Sequence, residues 1–143
     1  MLLVSVGLLI CFVGAWSKEG PKGPVRRILR KREVNENEEF LNAHNEMRRI
    51  VSPSATNMRE MKWSEELATV AYNYASQCVF RHNSERSRQS ATFNYVGENI
   101  YIGTYGYSAS FSVTLWDNEK HVYNFSSNTC TGVCGHYTQV DSV

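Results

Sequence analysis

Glu98 and Glu119 each fall on the apolar side of their segment, and any fold of this chain has to give both carboxylates a partner. Tyr95 to Ile102 alternates as a strand does, with Val96, Ile100 and Ile102 on one side and Glu98 among them. Ser110 to Tyr123 reads as a helix whose apolar face is Leu115, Trp116, Val122 and Tyr123, and Glu119 lies three or four residues from each. A buried charge needs a counter-charge, a metal or a proton. Three resolutions stand open: exposure after all, pairing with arginine, or facing histidines. His44 lies on a helical stripe and reads as a core residue, while His121 lies off its helix's apolar face and reads as exposed. His82 follows Cys78 by four residues, so a continued helix carries both on one face. His136 shares a face with Val140. Nothing resembles the HExxH metal motif.

The rest of the body is a mixture of helices and strands without regular alternation, which predicts α+β layers. Glu36 to Val51 is predicted to be helical, with Phe40, His44, Met47 and Val51 on one stripe and Ser52-Pro53-Ser54 as its stop. A second helix begins at Ser64, a good N-cap, with Glu65 and Glu66 in its first turn. Its face is Leu67, Val70, Ala71, Tyr74, Ala75 and Cys78. His82 to Phe93 reads as loop, and Gly135 to Val140 alternates as a short strand.

The first 32 residues have a different character. Leu2 to Val13 is almost unbroken apolar, too short to span a membrane. With Val13-Gly14-Ala15 after it, the run reads as a secretory signal cleaved at Ala15, residues 1–15. Residues 16–32 are a basic propeptide or linker, with Gly20-Pro21 and Gly23-Pro24 as breakers and a convertase-type site ending at Arg32. Residues 1–32 carry seven Lys or Arg against one Glu, net +6, and residues 33–143 carry eight against thirteen Asp or Glu, net −5. An acidic body is a poor nucleic-acid binder. At 42% hydrophobic and 20% charged residues, the chain is not collagen-like or wholly disordered.

Of four cysteines, Cys11 leaves with the signal and three remain in an oxidising compartment. Cys130 and Cys134 are spaced to close a small disulfide; Cys78 is then free, paired between chains, or without its partner. The spacings do not repeat as a CxxC pair, which argues against a cysteine zinc site. Asn124-Phe125-Ser126 is a glycosylation sequon and places Asn124 at the surface.

Six motifs follow in order: Ala43-His44-Asn45-Glu46-Met47-Arg48; Met61 to Ala68; Cys78-Val79-Phe80-Arg81-His82-Asn83; Gly97-Glu98-Asn99-Ile100; Trp116-Asp117-Asn118-Glu119; and Val133 to Val140. Together they closely resemble the CAP superfamily of cysteine-rich secretory, antigen 5 and pathogenesis-related class 1 proteins. Within it they are most similar to the glioma pathogenesis-related and peptidase-inhibitor branch. The resemblance covers residues 36 to 140. It implies an α-β-α sandwich over residues 33–143 and a cleft tetrad of His82, Glu98, Glu119 and His136 able to hold a divalent metal, usually zinc. It also implies that the Cys130–Cys134 pairing is kept. Relatives continue past the His-Tyr-Thr-Gln-Val motif with further strands and a partner for Cys78. The chain stops at Val143, so the sandwich is expected to lack its last strands.

The resemblance implies a secreted, extracellular binding module for a sterol, another lipid or a protein partner. It carries no nucleic-acid role and no membrane span once the signal is gone. The loop aromatics Phe93, Tyr95, Tyr101, Tyr105 and Tyr107 either offer an apolar surface or are half-buried strand residues. The alternatives are a metal-dependent hydrolase with Glu98 or Glu119 as base, a protease inhibitor, and a truncated isoform without activity. No Gly-x-Ser-x-Gly elbow occurs, and the reading leans away from an enzyme.

Overall fold

The computed structural model describes residues 7–9, 24–103 and 108–141, with side chains from residue 36 onward. Its elements run β1 (Gly7–Leu9), α1 (Pro24–Arg49), α2 (Glu65–Ala75), β2 (Ile100–Ile102), α3 (Ala109–Asn118), a 3-10 turn (Glu119–Val122), β3 (Tyr123–Asn124), β4 (Thr129–Cys130) and α4 (Gly135–Val140). β1 and β2 pair in parallel; β3 and β4 form an antiparallel hairpin with Tyr123 opposite Cys130. The architecture is α+β, as the irregular order of periods predicts. No helix among the described residues is long and apolar enough to cross a membrane.

α1 begins earlier than its apolar stripe indicates. Pro24 has the fixed φ that suits a first helical residue. The tribasic run ending at Arg32 sits in this helix. Ala15 lies outside the described residues. The helix ends at Arg49, so Val51 is not on it.

Two apolar clusters form the core. Phe40, Ala109, Val113, Trp116 and Val140 are buried together, with Ala43, Met47 and Tyr101 against them. Met61, Leu67 and Val96 form the other, with Leu41 and Phe93. α1 joins the clusters by giving adjacent residues, Phe40 and Leu41, to each. α3 is capped by the Ser108 hydroxyl, which accepts from the Phe111 amide at 3.2 Å. Its buried residues Ala109, Ser112, Val113, Trp116 and Asp117 follow one helical face. Leu115 falls off that face and is exposed, contrary to the predicted stripe.

Three further expectations are corrected. α2 stops at Ala75 instead of running on to Cys78, which takes a left-handed φ of 54° in the turn beyond. The strand predicted from Tyr95 is regular only at Ile100–Ile102. Before it, the Val96 amide and carbonyl are taken by the Ser87 hydroxyl and the Arg86 guanidinium at 2.9 and 2.7 Å, side-chain bonds that replace a ladder. Gly135–Val140 is a helix, not a strand. Six residues with apolar positions at Tyr137 and Val140 fit either period; what selects the helix is described below.

Cys130 and Cys134 are disulfide-bonded with Cα atoms 6.1 Å apart, closing the hairpin just before α4. Cys78 is also disulfide-bonded, which rules out the free thiol among the alternatives that its count left open.

His44 is the core histidine its stripe predicts. It is 3% exposed, its Nδ1 meets the Phe40 carbonyl at 2.9 Å, and its ring tilts between Phe40 and Trp116. Burial, with the Arg48 charge adding, lowers its pKa from the usual 6.5 to about 4. The folded state therefore holds a neutral ring that the unfolded chain protonates below pH 6.5. Stability present above that pH falls as pH drops, by about 3 kcal/mol at pH 4. His44→Leu is expected to remove that part of the slope when urea midpoints are compared between neutral and acid pH.

Candidate functional site

The four residues of the expected tetrad occupy four separate stretches of chain. His82 lies in the loop after α2, Glu98 precedes β2, Glu119 opens the 3-10 turn that follows α3, and His136 is the second residue of α4. The structure brings them together as two pairs. His82 Nδ1 lies 2.8 Å from Glu98 Oε1, and His136 Nδ1 lies 2.7 Å from Glu119 Oε1. An ionised carboxylate only accepts, so each Nδ1 carries the proton and donates it. In the neutral ring the lone pair is then on Nε2, and neither Nε2 is hydrogen-bonded among the described residues.

Each glutamate also holds backbone. Glu98 Oε1 accepts from the Asn83 amide at 2.9 Å, next to His82, and the carboxylate side chain is 8% exposed against 55% for the imidazole. Glu119 Oε2 accepts from the His136 and Tyr137 amides at 2.9 and 3.3 Å. These are first-turn donors of α4 that no helical carbonyl can satisfy. A carboxylate beside them fits their partial positive charge, and this selects helix for Gly135–Val140. Glu119 thus commits both oxygens, whereas Glu98 Oε2 makes no hydrogen bond among the described residues.

The pairs belong to one region because the segment carrying Glu98 lies across α4. Asn99 Nδ2 donates to the His136 carbonyl at 3.0 Å. A Cβ on Gly97 would meet the amide end of the Gln139 side chain, which would have to move aside, so the two segments approach closely here. Trp116 connects site to core. Its ring stacks on His136 with centroids 6.1 Å apart, and its Nε1 donates to the Ile100 carbonyl at 3.3 Å.

Among the described residues, no three His, Cys, Asp or Glu side chains gather around one point. The chemistry on offer is two imidazole Nε2 atoms, each oriented from behind by a carboxylate. His121 is exposed and takes no part, as predicted. Asn124 is exposed on β3. Tyr95 is exposed, Phe93 and Tyr101 are half-buried, and Tyr105 and Tyr107 lie outside the described residues.

Sequence reasoning missed the asparagines and Arg48. Asn83 and Asn99 are 3% and 2% exposed; the Asn83 amide donates to the Glu98 carboxylate, and the Asn99 side chain donates to the His136 carbonyl. Buried Arg48 donates to the Arg59 and Val140 carbonyls, both at 2.7 Å, tying α1 to the end of α4. Its place at the fourth residue after His44 on the stripe was the available signal. Glu119→Ala is expected to cost about 2–3 kcal/mol in urea unfolding, since it leaves two amides and an imidazole without an acceptor. Glu119→Gln, which keeps one carbonyl acceptor, should lose less.

The family model described as the CAP, or cysteine-rich secretory protein, family matches residues 41–142, a span that contains all four tetrad residues. GLIPR1-like protein 1 of Bos taurus is 42% identical over 135 residues, 92% of this chain and 53% of that protein. Peptidase inhibitor 16 of Mus musculus is 41% identical over 109 residues, 74% of this chain and 20% of that protein. Cysteine-rich secretory protein 3 of Homo sapiens is 34% identical over 142 residues, 98% of this chain and 56% of that protein. The chain spans about half or less of the length of these relatives. By the matched span and the identities, the chain belongs to the CAP family of cysteine-rich secretory proteins.

Proposed function

We propose that the chain is a secreted, extracellular CAP-domain binding protein. On this reading, the paired histidines hold a divalent metal and the surface beside them takes a sterol, another lipid or a protein partner. The observation that carries it is that each glutamate holds an imidazole by Nδ1, leaving Nε2 as the donor. Carboxylate-backed imidazole is a common zinc-ligating arrangement, because the carboxylate fixes the tautomer and raises ligand basicity. His82 and His136 would be the ligands, Glu98 and Glu119 their supports, and water would complete the shell. A two-histidine set suits weakly held zinc. Bound zinc would supply a positive anchor for an anionic or carbonyl-bearing group.

Binding is favoured over hydrolysis by what the carboxylates are doing. Three of the four oxygens accept hydrogen bonds from imidazole or backbone amides, and a general base needs a lone pair facing a water. The apolar side chains near His82 favour a lipid or protein surface. Phe80 is 57% exposed, and with Ala71, Tyr74, Val79 and Ile100 it lines a recess that reaches Glu98. Secretion and a glycan on Asn124 belong to the same reading; the exposed sequon side chain is accessible to transfer.

Zinc titration of the full chain by calorimetry tests the site. One saturable zinc per chain is expected, lost in His82→Ala and in His136→Ala, and weakened 10–100-fold in Glu98→Gln. No saturable zinc, or zinc binding indifferent to both histidine substitutions, contradicts the proposal.

A further inference from the structure

No three His, Cys, Asp or Glu side chains gather around one point among the described residues, so the two imidazoles are the ligands on offer. Two donors hold an ion well only if their separation is fixed before it arrives, because any freedom between them is lost on binding. Each pair moves with its own backbone. Glu98 Oε1 holds the His82 ring and the Asn83 amide, and Glu119 holds the His136 ring and the first amides of α4. Asn99 joins the two. It is the residue after Glu98, and its Nδ2 donates at 3.0 Å to the carbonyl of His136, the residue that carries the second ring. Asn99 is 2% exposed, so water does not compete for this bond.

A side chain serving stability alone would satisfy both ends of its amide. Asn99 leaves Oδ1 buried and without a hydrogen bond among the described residues, which costs stability. Trp116 supports the same link from the core. It stacks on His136 and donates from Nε1 to the carbonyl of Ile100, the residue after Asn99. Resting on the metal-site reading above, we propose that Asn99 is a positioning residue for that site. Its bond to the His136 carbonyl sets the separation of the His82 and His136 Nε2 atoms, and so turns two independent His–Glu pairs into one divalent-cation site. Asn99 acts through the histidines: removing its side chain leaves each imidazole on its glutamate and loosens one pair relative to the other.

The test uses the full chain with zinc as the probe, read by calorimetry, and takes nitrogen-15 imidazole spectra and a urea midpoint on each variant. Asn99→Ala removes the bond, and Asn99→Leu removes it while filling the space. Both are expected to bind zinc at least tenfold more weakly than the parent, with Nδ1 still protonated on both rings. Leu67→Ala, in the apolar cluster with Met61 and Val96, is expected to lower the urea midpoint and keep the parent's zinc affinity. A parent that binds zinc, with both Asn99 variants binding it equally well, overturns the role of Asn99 and leaves the metal site standing. A parent that binds no zinc overturns the metal site and the role of Asn99 with it. Zinc binding weakened as far in Leu67→Ala, or failure of both Asn99 variants to fold, overturns the role because the residue then serves only the fold. An Nδ1 proton lost from either ring in both Asn99 variants overturns it too, since Asn99 would then hold one pair together rather than join the two.

Discussion

Glu119 is the tie on which the rest of this structure depends. One carboxylate accepts from an imidazole and from two amides at the start of α4. It therefore fixes the tautomer of His136, the helical state of Gly135–Val140, and the docking of that helix against the end of α3. α4 then brings Val140 into the core and presents Gln139 and the His136 carbonyl to the segment carrying Glu98. The burial cost of a charged group is offset by three charge-assisted hydrogen bonds rather than by exposure. Glu98 repeats the device on His82 with one fewer backbone amide, and it keeps one oxygen uncommitted.

The polar network and the core are one construction. Trp116 packs on Phe40 at 5.8 Å and stacks on His136, while His44 lies between the aromatic rings and the buried Arg48. Arg48 in turn holds the carbonyl of Val140 at the far end of α4. α4 is thus fastened at its first residues by Glu119 and at its last by Arg48. A helix of six residues has no stability of its own in water, so these tertiary ties are what hold it.

How much of this could be read from the sequence depended on the range of the interaction. Phe40, His44 and Trp116 were legible because a helical face states its own burial, whereas the buried Val113 was missed and Leu115 was placed on the face in error. Glu98 and Glu119 were legible as a problem, charges on apolar faces, and four motifs pointed to their histidine partners through the family likeness. The α4 helix was not legible. Its deciding partner is sixteen or more residues away in sequence, and six residues with two apolar positions fit either period. The end of α2 at Ala75 was hidden for a related reason, since Cys78 continues the apolar spacing while its backbone turns left-handed. Val96 reads as strand, yet its backbone is taken by Ser87 and Arg86, which no periodicity reports. Arg48, Asn83 and Asn99 are buried polar residues whose roles are backbone bonds made at a distance.

The imidazole tautomers of His82 and His136 test the central claim most directly. Nitrogen-15 spectra of the full chain at about pH 8, above the ordinary histidine range, separate a protonated ring nitrogen from one with a lone pair. The account predicts protonated Nδ1 and unprotonated Nε2 on both rings, with added zinc shifting Nε2. Protonated Nε2 on either ring, or zinc acting at Nδ1, would contradict it.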